Sequence, residues 1–174
     1  GIVKQHGGAI LCDSRKDEGT TFRIYLPALE YSIPDDDHSD QFEIQPEGTE
    51  TILIVDDEDF VRELAGDVLE RAGYNVLFAS NGREALEILR LKSKEIDLVL
   101  LDLIMPGMSG KNVLKEIKNL YRDMNVIVAS GYSSGESEDL VLSLGAIAFV
   151  NKPYENRHLL KKIRQAIDLQ KNED

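Results

Sequence analysis

Asp97-Leu98-Val99-Leu100-Leu101-Asp102-Leu103-Ile104-Met105-Pro106-Gly107-Met108-Ser109-Gly110 is the stretch on which the fold turns: an apolar run ends on a carboxylate and then breaks into a Pro/Gly turn. Leu98 to Leu101 has the unbroken apolar character of a parallel strand covered on both faces. Open α/β sheets carry their ligand sites beyond the carboxyl ends of such strands, so Asp102 stands where chemistry is expected. A lone Asp after a strand more often only caps or turns the chain. The other strand ends therefore decide how Asp102 is read.

From residue 51 onward, strand and helix patterns alternate with short connections, which predicts βαβ units and a doubly wound α/β fold with a five-stranded parallel sheet. The strand candidates are residues 51–55, 75–79, 98–101, 126–129 and 147–150. Helical spacing joins Phe60, Val61, Leu64, Val68 and Leu69; Ala85, Leu86 and Leu89; and Val113, Leu114, Ile117 and Leu120. It also joins Leu140, Val141 and Leu144, and Leu159, Leu160, Ile163 and Ile167. These stripes are expected to be core.

The first strand runs into Asp56-Asp57, the third into Asp102, the fourth into Ser130, and the fifth is followed by Asn151-Lys152-Pro153. Right-handed crossovers bring these ends to one rim of the sheet. Taken singly, the acids can be N-caps, Ser130 a turn residue and Lys152 a solvated lysine; gathered on one rim they form a complementary set. Asp57 and Asp102, with Asp56 acting through water and a backbone carbonyl near Ile104, offer the hard oxygen ligands that Mg²⁺ requires. The cation would relieve carboxylate repulsion and neutralise charge on a transferring phosphoryl group, while Lys152 and Ser130 supply an ammonium and a hydroxyl to phosphate oxygens. Asp102 remains as the nucleophile, in the way that carboxylates form aspartyl phosphates. A cis peptide is expected between Lys152 and Pro153, since X-Pro bonds alone reach cis cheaply.

Around this region the chain changes character. The net charge of −12 divides into +1 over residues 1–29, −8 over 30–50 and −5 over 51–174. The middle segment (EYSIPDDDHSDQFEIQPEGTE) holds no Lys or Arg and reads as an acidic, extended linker. Overall acidity argues against a nucleic-acid surface, which needs a basic patch. No apolar run approaches a membrane span and no signal sequence opens the chain, so a cytoplasmic location is the default expectation. The single Cys12 is expected to be a half-buried strand residue. Residues 1–29 read as a helix end closed by Gly7-Gly8 and two strands, residues 9–14 and 21–26, too small to fold alone.

Residues 51–174 resemble a response-regulator receiver domain over their whole length. The family's acidic pair corresponds to Asp56 and Asp57, its phosphorylated aspartate to Asp102, its Met-Pro-Gly-Met-x-Gly turn to Met105 through Gly110, its hydroxyl residue to Ser130 and its Lys-Pro pair to Lys152-Pro153. The resemblance implies sheet order 2-1-3-4-5. It also implies a switch in which phosphorylation draws Ser130 toward the phosphate and turns Phe149 inward, and a phosphohistidine donor in the parent kinase core or a phosphotransfer protein. The positions flanking the approach of hydrolytic water would be Ile104 and Tyr132, neither suited to orient water, which implies slow self-dephosphorylation. In residues 1–29, Gly19-Thr20-Thr21-Phe22 resembles the last piece of the ATP-binding domain of sensor histidine kinases, without that domain's nucleotide motifs. Together the segments resemble part of a hybrid sensor histidine kinase that cannot bind ATP by itself, with no DNA-binding output domain. His6, His38 and His158 are expected to be ordinary surface residues. A haloacid-dehalogenase-type phosphatase would need a general acid where Ile104 stands, and a flavodoxin-like FMN module would need a phosphate cradle where Asp56-Asp57-Glu58-Asp59 stands.

Overall fold

The computed structural model describes residues 2–5, 7–27, 48–131 and 135–171. Most of the acidic segment, with His38, lies outside the described residues, as do His6 and Tyr132. The chain separates into two units, Gly1–Asp40 and Gln41–Asp174.

In the first unit a short helix α1 (Ile2–Gln5) ends in paired bonds, Gly7 N to Lys4 O and Gly8 N to Val3 O, as its Gly-Gly dipeptide suggested. Strands β1 (Ala9–Arg15) and β2 (Gly19–Tyr25) then pair antiparallel, the ladder running from Ala9–Tyr25 to Arg15–Gly19. The ladder is thus displaced by a residue or two from the expected strand limits, because the turn closes tightly at Asp17, where φ is +65°. A two-stranded ribbon has no second layer to bury a face. Cys12 is consequently exposed rather than half-buried, together with Ile10, Phe22 and Ile24.

The second unit runs β3 (Thr51–Val55), α2 (Asp59–Arg71), β4 (Asn75–Ala79), α3 (Gly82–Lys92), β5 (Leu98–Asp102), α4 (Gly110–Leu120), β6 (Asn125–Ser130), α5 (Gly135–Ser143), β7 (Ala148–Asn151) and α6 (Asn156–Lys171). All neighbouring strands are parallel, in the order β4-β3-β5-β6-β7, which is the expected 2-1-3-4-5 arrangement. Every residue of central β5 is buried, which explains its continuous apolar run. Alternate strand residues feed two cores. One holds Leu53, Val99, Leu101 and Val128 with Leu89 of α3, Val113, Leu114 and Ile117 of α4 and Val141 of α5. The other holds Ile52, Ile54, Leu98, Leu100 and Ile127 with Leu69 of α2 and Leu159, Ile163 and Ile167 of α6.

The helical stripes need correction at their edges. Phe60 is 76% exposed and Leu64 46% exposed, whereas Ala65, Gly66 and Leu69 face inward. Leu120 and Leu140 also lie outside the core. On α2 the cause is close approach: a Cβ on Gly66 would stand 2.6 Å from Phe78 Cζ. Small residues thus set the inward face, and Phe60 and Leu64 rotate out of it.

Candidate functional site

Each candidate side chain is delivered by a strand end. Asp102 closes β5, Asp56 and Asp57 follow β3, Ser130 closes β6, and Lys152 follows β7. The backbone holds these ends in register through Leu103 N to Ala129 O (2.9 Å) and Lys152 N to Ser130 O (2.9 Å). The Pro/Gly turn after β5 folds back so that Gly110 N bonds to Leu103 O. A Cβ on Gly110 would lie 2.1 Å from the Asp102 carbonyl oxygen, so only glycine permits α4 to start this close to the site.

Lys152 Nζ bridges two carboxylates, 2.5 Å from Asp56 Oδ2 and 2.8 Å from Asp102 Oδ2. Asp102 Oδ1 accepts from Ile104 N at 3.2 Å, and Asp56 Oδ1 accepts from Glu58 N at 3.0 Å. Asp56 Oδ2 is buried and has no hydrogen-bond partner beyond its ion-pair contact with Lys152. Oxygens of Asp56, Asp57 and Asp102 lie within 4.8 Å of one another, with Asp57 the most open to solvent. An all-carboxylate donor set with a buried, under-partnered oxygen fits a hard divalent cation. The Lys152–Pro153 peptide is cis, as expected.

Burial raises the pKa of the Asp102 carboxyl; hydrogen bonds from Lys152 and Ile104 N–H and the lysine's charge oppose this, and the Asp56 charge adds to it. For Lys152, burial pulls downward, but the hydrogen bonds and charges of Asp102 and Asp56 outweigh it, and the ammonium is held above its ordinary pKa. Both groups thus hold their protons more tightly than the free side chains do.

Two contributors have no clear signal in the sequence. Arg62, one turn into α2, donates to the Asp56 carbonyl at 2.6 Å and pairs with Asp59 at 2.5 Å, fixing the loop that carries the acidic pair. Tyr154 is partly buried beyond Lys152, and burial followed by the charges of Asp56 and Asp102 pushes its phenol far above its ordinary pKa. Only proximity to Lys152 in the chain could have suggested it. Phe149 is buried in the core beside β6. Ile104 is exposed beside Asp102, and His158 lies exposed on α6. A surface pocket of about 720 Å³ runs between α3 and α4, lined by Arg83, Leu86, Gly107, Met108 and Tyr121.

The sequence model of the family described as Response regulator receiver domain matches residues 52–164. The sensor kinase CckA of Brucella abortus is 36% identical over 98% of this chain and 19% of its own length. The sporulation initiation phosphotransferase F of Bacillus subtilis is 33% identical over 71% of this chain and 98% of its own length. A solved receiver domain from Methanospirillum hungatei superposes with a TM-score of 0.67 at 33% identity, over 73% of this chain and all of that one. The chain spans between 19% and 31% of the length of the first curated relatives it matches. Neither the phosphatase nor the flavin alternative gains support, since Ile104 supplies no acid and carboxylates follow β3. With its parallel sheet, its acidic rim and a family match across residues 52–164, this chain belongs to the response regulator receiver family of two-component systems, a phosphoacceptor domain.

Proposed function

We propose that Asp102 takes the phosphoryl group from a phosphohistidine in a Mg²⁺-dependent transfer, and that the chain is a piece of a cytoplasmic hybrid sensor histidine kinase. The observation that carries the first part is Lys152 Nζ held between Asp56 and Asp102 with Asp57 beside them. A bound Mg²⁺, held by Asp56, Asp57, Asp102 and the Ile104 carbonyl, would neutralise charge on the transferring group. An Asp102 carboxylate oxygen attacks phosphorus and forms the new O–P bond; the P–N bond breaks, and its electron pair stays on the imidazole. Lys152 and the Ser130 hydroxyl then donate to phosphate oxygens. Lys152 suits this role because its ammonium is held in the charged form by Asp102 and Asp56 and is largely enclosed.

The kinase context is supported by the CckA match, which extends past the receiver through nearly the whole chain. The donor is then a phosphohistidine of the parent kinase or of a phosphotransfer protein. Intact-mass measurement after incubation with acetyl phosphate tests the acceptor: one phosphate should be gained with Mg²⁺, none with EDTA and none by Asp102→Asn. An Asp102→Asn protein phosphorylated at the wild-type rate would refute the assignment.

A further inference from the structure

At the opposite ends of the strands from Asp102, residues 48–50, which composition assigns to the linker, are bonded into the second unit. Gly48 N donates to Ala72 O, Asn75 N donates to Glu50 O at 2.9 Å, and Asn75 Nδ2 donates to Thr49 O at 2.8 Å. Gly48 rests on the ring of Tyr74, where a Cβ would stand 1.8 Å from Cε1. Glu50 receives a two-pronged grip from Arg164 of α6: Nη1 to Oε2 and Nη2 to Oε1, each 3.1 Å. Arg164 Nε is held by Asp168 Oδ1 at 3.0 Å, and the Arg164 and Glu50 side chains are only 16% and 10% exposed.

α6 begins at Asn156, four residues after Lys152, and Arg164 lies about two turns further along it. One stiff helix thus links the lysine of the phosphoacceptor rim to the segment entering β3, with about 12 Å of helix between Asn156 and Arg164. Resting on the acceptor reading above, we propose that the Arg164–Glu50 pair is a latch that transmits a change at Lys152 along α6 to residues 48–50, and so to the segment joining the receiver to whatever precedes it. Lys152 exchanges Asp56 and Asp102 for phosphate oxygens when the acyl phosphate forms, which alters the lead into α6. A planar guanidinium gripping a carboxylate at two points tolerates little sliding, so movement of α6 is passed to Glu50.

Spatial intermediacy alone does not establish coupling, so the test perturbs one end and reads the other. Hydrogen exchange of the Gly48 and Asn75 amides is followed in the full chain with Mg²⁺, with and without acetyl phosphate, while intact mass reports phosphate. In wild type, phosphorylation should change these exchange rates about fivefold or more, the lower end of typical site-to-site coupling. Arg164→Met, and the milder Glu50→Gln should Arg164→Met fail to fold, should gain phosphate as wild type does but lose that change. An unchanged exchange response in either folded variant, or no response in phosphorylated wild type, overturns the latch while leaving the acceptor standing. Absence of phosphate in all three chains overturns the acceptor reading and the latch with it.

Discussion

The burial of Asp102 at the end of β5 comes at some expense of stability. Burial raises its folded-state pKa, so the favourable protonated form is present below the unfolded carboxyl value of about 3.9 and is lost as pH rises through the folded value. Without Mg²⁺, Asp102→Asn should therefore raise the free energy of unfolding at neutral pH by about 0.5–2 kcal/mol, the usual scale of one stabilising substitution. Lys152 keeps Asp56 as partner in that variant. Thermal melts should show the advantage shrinking to nothing on acidification below about pH 4, and Mg²⁺ should stabilise wild type more than the variant. Advantage growing toward low pH would contradict this account. Ile104, exposed beside the acceptor, offers water no hydrogen bond. Ile104→Asn should shorten the aspartyl phosphate lifetime severalfold, measured as loss of phosphate after the donor is removed.

Among the elements, α2 divides into a half that holds the fold and a half that leaves apolar side chains exposed. Leu69 is fully buried, and Leu69→Ala should cost about 2–5 kcal/mol in denaturant titration. Phe60 and Leu64 are exposed one turn apart on the helix that starts beside Asp56 and Asp57, an apolar face at the lip of the site. Phe60→Ser should change stability by about 0.5 kcal/mol or less, yet slow phosphotransfer from a phosphohistidine protein while leaving acetyl phosphate transfer unchanged. Equal slowing with both donors would place Phe60 in the chemistry instead. Here the limits of sequence reading are visible. Apolar spacing located the five helices of the second unit, but it could not distinguish Phe60 and Leu64 from Ala65 and Leu69, since the inward face depends on how closely Gly66 meets Phe78. Strand ends revealed Asp56, Asp57, Asp102, Ser130 and Lys152 because βαβ topology gathers them wherever the helices point. Arg62 and Tyr154 were not legible, because their relevance arises from side-chain reach across loops and leaves no periodic trace.

Across the whole molecule, the two units differ in what they can hold by themselves. The parallel sheet is covered on both faces, while β1 and β2 are exposed along their whole length among the described residues. Hydrogen exchange on the full chain should find the amides of β5 and β6 opening only with global unfolding, and those of β1 and β2 exchanging many times faster. Comparable protection in the hairpin would show that its apolar residues are covered after all. The same grip of Arg164 on Glu50 also brings the last helix of the receiver body against its first residues, at the strand ends remote from Asp102. The domain is therefore suited to circular permutation: a short Gly/Ser bridge from Lys171 to Gly48, with new ends opened at the turn between α4 and β6, would leave every strand end of the acidic rim in its native order around Asp102.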